Sequence, residues 1–524
     1  MLNLKQFQLL LVAGIFTLTM DGNSSEITTS KLDNLKTDLS NSKSYGEDGD
    51  IKVDLEKLVK WILDRNSNVL EQKMVTKAAS FKVEAEDSLY EPVWVTNLNR
   101  SVDNRKRSSS EYLSFDVNAK TEQENKNSEI STGVYFPIPS GGDISINYKF
   151  SKQENSLFPE EIDKEYSSSV DIQYNQPLLK GFGRKVTEFN LTLTKLDEKI
   201  SKLQHQQILM NVAQGASELY WQLYRAYKVV NIRQIALENA IKLEQDMINR
   251  VKRGNMARSE LLEAQASIAD REAELSRAHQ VMTEVLTNIR INLNISKGDL
   301  AQFSLKPEQS PKFDQTTIKT LKTRVQYAIN NHPQYLLKEI QHKQEKERYQ
   351  YTLENDSPNL DLTLGYGYDN IDLEGDDAVD DTTIPKYRDW KVGISFKLPL
   401  GGDIRGQNEV NAQKILMEKS HHSYLSLQNQ LRNDIEGRIS QLNEAYKEIK
   451  KVEQSVLLYS ELLAVEQSLF KHGRTRLRDV IERESLLNNA KQRFVEAAAR
   501  VEIAKISLMV SDGSLLEYYG INGE

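Results

Sequence analysis

The chain has 524 residues, no cysteine and a formal net charge of −8. With 39% hydrophobic and 27% charged residues, it is too polar for one large continuous core and suits long, thin elements that each bury a narrow stripe. The acidic balance argues against nucleic acid as a partner, because phosphate binding needs a basic surface; the lack of cysteine excludes disulfides, a thiolate zinc site, a cysteine nucleophile and a lipid anchor on an N-terminal cysteine.

Lys5 followed by the apolar run 7–20 reads as an export signal over residues 1–22. Residues 23–50 are rich in Ser, Asn, Asp and Thr and predict a flexible lead-in. Helical periodicity starts at Ile51, with Val53, Leu55, Leu58, Val59 and Ile62 on one side, and stops before Pro92. From Pro92 to Pro177 the period becomes two. Ile144, Ile146, Tyr148 and Phe150 alternate with Ser145, Asn147 and Lys149, and Val170, Ile172 and Tyr174 alternate with Asp171, Gln173 and Asn175. After Gly183, Phe189, Leu193, Leu196, Ile200 and Leu203 step by four and three, the seam of a left-handed coiled coil. The breaker is Gly254, with Ser259 as the expected N-cap of a returning helix that runs to about Asn294. Residues 295–315 read as a connector, and helix resumes near Thr317.

The pattern then recurs. A helix ends near Asn355, Leu360, Leu362, Leu364 and Tyr366 alternate, an acidic loop spans 369–381, read as solvated with divalent-cation binding as the other reading, and Trp390, Val392, Ile394 and Phe396 alternate up to Pro399. Gly401 and Gly402 open another long helix that breaks at Gly473 and returns to about Val510. Gly183 to Gly254 and Gly402 to Gly473 are both 71 positions. At 1.5 Å per residue, helices of ~65–70 residues extend roughly 100 Å. The chain therefore divides into two structural repeats, 51–315 and 316–512, and a tail, 513–524. Strands with one apolar face in an exported chain suit barrel staves with lipid outside and water inside, and one copy has too few to close a wide barrel. A secreted or surface coiled-coil scaffold is the alternative.

Gln176-Pro177-Leu178-Leu179-Lys180-Gly181-Phe182-Gly183-Arg184 resembles the strand-to-helix turn of TolC-type outer-membrane efflux proteins, with Pro399 and Gly401 at the matching place in the second half. Arg250 to Gly254 with Ser259 and Glu260, and Phe470 to Gly473 with Leu477, Asp479, Val480 and Ile481, resemble that family's hairpin tips. The segment from His332-Pro333-Gln334 to Pro358-Asn359-Leu360 resembles the helix leading into its second strand pair. The resemblance, over residues 50–520, implies a mainly α fold with β: duplicated helical hairpins forming a periplasmic tunnel, and four strands per subunit in a shared twelve-stranded transmembrane barrel. The preferred strands are 143–152, 167–176, 359–368 and 388–397, with Val93 to Val102, Tyr112 to Val117 and Ile130 to Ile138 as further candidates in a stretch that has no counterpart in the second half. It implies a homotrimer in the outer membrane, in contact with its lipid. The trimer would dock onto a periplasmic adaptor and an inner-membrane transporter of the RND, ABC or MFS type, and would export small molecules or proteins without catalysis or cofactors.

By the same resemblance the gate lies at the tips. Asp479 and Glu482 take the positions of an acidic pore ring, three residues apart on one helix face. Acidic residues there equally serve the helix dipole. Thr475 stands where well-known relatives carry a basic linking residue, so the expected links are Arg474 or Arg476 with Glu260; solvated surface charge is the other reading. Arg253, Gly254, His472 and Gly473 are the expected contacts to adaptor or transporter. The seven histidines form no metal-ligand pattern, adjacent His421 and His422 diverge on their helix, and no nucleophile-base set or phosphate loop is present.

Overall fold

The computed structural model describes residues 51–106, 122–156, 162–295, 305–313, 320–380 and 387–521. The expected signal and lead-in, the candidate strand Tyr112 to Val117, the helix start at Thr317 and most of the 295–315 connector lie outside these residues.

The first element is not helical. Ile51–Val53 is a short strand, β1, pairing in parallel with β6, Leu305–Pro307. Ile51 and Val53 are buried and Lys52 is exposed, a period of two that also passes for one turn of helix. Helix α1, Leu55–Arg65, follows, capped by the Asp54 carboxylate, which accepts from the Lys57 amide at 2.7 Å. Asn66 caps α2, Ser67–Asp87, in the same manner. The chain then enters four consecutive strands: β2, Val93–Lys106, β3, Glu122–Pro137, β4, Asp143–Asn155, and β5, Glu165–Pro177. The long helix α3, Phe189–Lys252, turns at Gly254 into α4, Arg258–Asn292. The second half runs α5, Leu321–Asn331, α6, Pro333–Glu354, β7, Asn359–Asp372, β8, Arg388–Lys397, α7, Ile404–Lys471, and α8, Leu477–Ser511.

The rods match the expectation. α3 has 64 residues and α7 has 68, about 96 and 102 Å by the helix rise. The returning helices α4 and α8 have 35 each and so reach only half-way back. The other half of each rod is accompanied by a different helix, α2 on α3 and α6 on α7 and α3. Phe189 at the head of α3 stacks on Tyr351 of α6, with ring centroids 3.8 Å apart. The two halves meet in a collar at the middle of the rods. There α1, α3, α4, α8 and the β1–β6 pair bury Leu58, Ile62, Tyr220, Trp221, Leu223 and Ile289. Tyr220 Oη accepts from the Gln309 amide at 2.9 Å, and Ser217 and Tyr519 share a hydroxyl contact of 2.7 Å. An adjoining cluster packs α5, α7 and α8 through Ala328, Ile435, Leu442, Tyr446 and Val501.

The strand count corrects the expectation of four. β2, β3, β4, β5, β7 and β8 form one six-stranded antiparallel sheet in that order. The four preferred strands are its inner and far members, and the β2–β3 hairpin is added in continuous register: Leu98 opposes Ile130, and Ile130 opposes Phe150. This hairpin falls on the candidate strands Val93 to Val102 and Ile130 to Ile138; the outer part of β3, Glu122 to Ser128, has no apolar alternation and extends beyond them. β7 also continues to Asp372, so the start of the acidic stretch is strand, and Gly375–Asp380 is a short helix.

The registers place all apolar alternations on one face. Val134, Ile146, Ile172, Tyr366 and Trp390 are cross-strand neighbours in one row, and Phe136, Ile144, Tyr174, Leu364 and Val392 in the next. The opposite face carries Asn147, Asp171, Gln173, Asp361, Lys391 and Ser395. Several large side chains of the apolar face are well exposed, among them Trp94 at 68%, Ile394 at 69% and Trp390 at 71%. No helix among the described residues is long and apolar enough to cross a membrane.

Candidate functional site

The two hairpin tips are built alike. At the first, Gly254 has φ 73°, its amide donates to the Val251 carbonyl at 3.0 Å and the Asn255 amide to the Arg250 carbonyl at 2.9 Å. At the second, Gly473 has φ 71°, its amide donates to Phe470 and that of Arg474 to Leu469, both at 3.0 Å. This pair of bonds closes a helix with a left-handed residue after its cap. Nothing stands within 4 Å of where a Cβ would be at either glycine, so only backbone strain opposes substitution. Gly254→Ala and Gly473→Ala are each expected to lower stability by about 1–2 kcal/mol, measured as denaturant midpoints of the helical signal; an unchanged midpoint would refute the assignment.

Met247, Ala264, Phe470, Leu477 and Val480 form a small apolar core that joins the two tips. The Arg250 guanidinium lies over the Phe470 ring, 5.3 Å from its centroid. Glu260 reaches across and accepts from the Leu477 amide at 3.2 Å. The structure thus brings Glu260 to the second tip, but its partner is the backbone amide that opens α8 and not Arg474 or Arg476, whose side chains are exposed. A free helix-start amide competes well for a carboxylate because its own chain offers it no acceptor. Ser259 is the second residue of α4, not its cap; Ala257 holds the cap position.

Asp479 accepts from the Arg476 amide at 3.3 Å and contacts the Thr475 hydroxyl at 2.9 Å. Thr475 also stands 2.6 Å from Glu466, so a single hydroxyl proton lies between two carboxylates. The Thr475 hydrogen bond, then that of the Arg476 amide, holds the Asp479 carboxyl below the usual aspartate range, with Arg476 and Arg483 adding charge. Glu482, one turn on, is exposed. Arg253 and His472 are exposed cap residues of α3 and α7, and His472 Nδ1 stands 2.7 Å from the Ser468 carbonyl.

At the other end of the rods, Gln176 is buried and holds the strand-to-helix turn, its amide donating to the Ser140 carbonyl at 3.0 Å and its Oε1 accepting from Ser140 Oγ at 2.5 Å. Pro177 closes β5, and Gly181 and Gly183 both have positive φ. In the second half Pro399 and Gly401 lie in the corresponding turn, but the left-handed residue there is Gly402.

A second join lies farther along the hairpins and was not foreseen. Arg271 of α4 and Glu484 of α8 form an ion pair at 3.1 Å with side chains only 7% and 9% exposed. Ser267 accepts from Arg271 Nε at 3.2 Å, and Asn239 of α3 donates to Glu484 at 3.4 Å. Beside it Arg233 of α3 donates to Glu274 of α4 at 2.9 Å and to Gln492 of α8 at 2.8 Å. Arg271 continues the series Ala264, Ala278, Val285, buried every seven residues. A charge in that register is the one signal from which the join was readable. Among the described residues, no group of three or more His, Asp or Glu is arranged to hold a metal ion.

Residues 325–514 match the model of the outer membrane efflux protein family. No curated protein matches the chain in sequence. Among solved structures, the chain is similar to the transmembrane channel CusC, with 11% identity and a TM-score of 0.62 over 88% of this chain and 92% of that one. It is similar to the outer-membrane channel CmeC of Campylobacter jejuni, with 16% identity and a TM-score of 0.59 over 88% and 85%. It is also similar to the outer-membrane protein VceC of Vibrio cholerae, with 12% identity and a TM-score of 0.60 over 88% and 96%.

Proposed function

We propose, from the match of residues 325–514 to the outer membrane efflux protein family and the TolC-type fold shared over 88% of the chain, that this protein is the outer-membrane duct of an export system. It is a passive conduit, with no chemistry of its own. The observation that carries this reading is the sheet. Its one continuous apolar face stands at the end of rods about 100 Å long, where lipid would meet it, and its polar face would line water. A secreted scaffold gives no reason for such a face to be left uncovered.

The finer reading is a homotrimer spanning the periplasm, docked through Arg253, Gly254, His472 and Gly473 onto an adaptor and an inner-membrane RND, ABC or MFS transporter. Small molecules or proteins would pass through it. The gate is the tip region, where Glu260 ties the two hairpins and Asp479 and Glu482 supply negative charge at the narrowest point. Asp479 serves the α8 cap as well, so Glu482 is the freer of the two to meet a cation.

The test is purification from outer membranes and conductance in planar bilayers. The protein is expected to resist salt washing, require detergent and open discrete channels. Release by salt or an absence of conductance would refute the duct. Asp479→Ala with Glu482→Ala is expected to abolish block of the current by divalent cations. Because the Asp479 carboxyl is held below the ordinary range, its share of the block is present at neutral pH and should be lost only as pH falls through that lowered value. Unaltered block in the double variant would remove the ring assignment.

A further inference from the structure

The six-stranded sheet ends in β2 and β8, neither of which carries a further strand among the described residues. Both strands are exposed nearly throughout. Both continue the apolar face, β2 with Trp94 and Leu98 and β8 with Trp390, Val392, Ile394 and Phe396. Hydrocarbon offers no partner to an unpaired amide or carbonyl, so an open sheet edge does not stand in a bilayer. Six strands are also fewer than the eight of the smallest transmembrane barrels. The two edges therefore need partners of the same kind, and the chain itself supplies them. β2 runs away from the rods and β8 runs towards them, so β8 of one copy and β2 of the next would pair antiparallel, like every other pair in this sheet.

The slant of the sheet bears this out independently. One row of partners runs Val93, Tyr135, Ser145, Gln173, Gly365 and Lys391. Val93 is the first residue of β2, whereas β8 continues six residues past Lys391 to Lys397. The margin of the sheet nearest the rods thus drifts by six residues across five strand spacings. At ~3.4 Å per residue and ~4.8 Å between strands, this is about 20 Å over about 24 Å, a slant of about 40°. Staves of transmembrane barrels tilt by about 35–45°. β2 and β3 lie on the same slant as the other four, which makes the extra hairpin part of the wall.

We infer that β2 and β8 form the seam between copies of this chain, and that the β2–β3 hairpin, which the second repeat lacks, raises the shared barrel to six staves per copy and eighteen in the trimer. This rests on the trimeric duct proposed above and departs from the twelve staves that the family resemblance implies. Barrel diameter grows roughly linearly with strand number, so the lumen is about one and a half times as wide as with four staves per copy. Continuing the drift by about one residue per spacing sets the neighbour's Val93 beside the Lys397 end of β8. Asn97 then faces Ser395 or Gly393 across the seam, on the polar side.

The chain has no cysteine, so paired cysteines report directly. Full-length protein carrying Asn97→Cys and Ser395→Cys, oxidised in outer membranes, is expected to run as covalent trimers on a denaturing gel and to return to monomer on reduction. Each single substitution should give none. Asn147→Cys with Ser395→Cys tests the rival arrangement, in which β8 meets β4 of the next copy and the β2–β3 hairpin lies outside the wall. Linkage of that pair with silence of the first overturns the eighteen-stave barrel. Silence of both pairs in a chain that light scattering shows to be trimeric in detergent overturns the seam. A monomer in detergent overturns the trimeric duct itself and the seam with it.

Discussion

Arg271→Ala is expected to weaken the join between the two hairpins by about 3–5 kcal/mol, because it strands the Glu484 carboxylate in a buried site. Asn239 at 3.4 Å would be left as its remaining partner from another helix. Glu484→Ala should cost a similar amount by stranding the guanidinium. The sign reverses when both charges go: Arg271→Met with Glu484→Leu replaces the pair with side chains that suit a seam of Ala264, Ala278 and Val285, and such replacements are often neutral or stabilising. Denaturant unfolding followed by helical signal measures all three, and the double-mutant cycle isolates the coupling. A loosened join should also show as a raised leak current in bilayers for the single variants and not for the double. If Arg271→Ala stays within about 0.5 kcal/mol of the native chain, as a surface substitution would, the buried pair is not what binds the hairpins.

The second large effect concerns the sheet. Ile172 lies near the middle of β5 on the apolar face, between Ile146 and Tyr366. Ile172→Lys is expected to cost about 2–4 kcal/mol in the membrane, the range for Lys at the midplane of a barrel's lipid face, and to reduce the protein recovered in the outer membrane. Gln173→Lys, the next residue on the same strand, faces the polar side between Ser145 and Gly365 and should assemble normally. The contrast is the readout, since both substitutions place the same charge at nearly the same depth. Equal tolerance of the two would mean that the apolar face does not meet lipid.

The rods were legible because a coiled-coil seam imposes its period on every turn, and no other architecture keeps four-and-three spacing over such a length. Four strands were legible because their apolar side chains alternate wherever the face must be apolar. β2 and the inner part of β3 were legible as the candidate segments Val93 to Val102 and Ile130 to Ile138; the outer part of β3 was not, because Glu122 to Ser128 lies opposite Arg100 to Lys106, beyond the apolar rows, where nothing demands alternation. Ile51 and Val53 misled because two buried residues two apart fit a strand or a helix, and only the partner strand 254 positions later, at Leu305, decides it. The tips were located from their glycines, but their bonds were not readable. Glu260 meets Leu477 across 217 residues and Arg271 meets Glu484 across 213. Local spacing carries no information about which backbone amide a distant carboxylate will find.

The half-length of the returning helices has a mechanical meaning. Because α4 and α8 stop at the collar, α3 and α7 are levers with a fulcrum near Trp221 and arms of similar length on either side, each about 48 Å by the helix rise. A rotation of about 5° at that fulcrum would carry a tip through about 4 Å on this arm. That exceeds the reach of the hydrogen bond from Leu477 to Glu260. Such a rotation would leave the collar packed, with Trp221 and Tyr220 undisturbed, and would fall on the tip core, the Glu260 link and the Arg271–Glu484 pair.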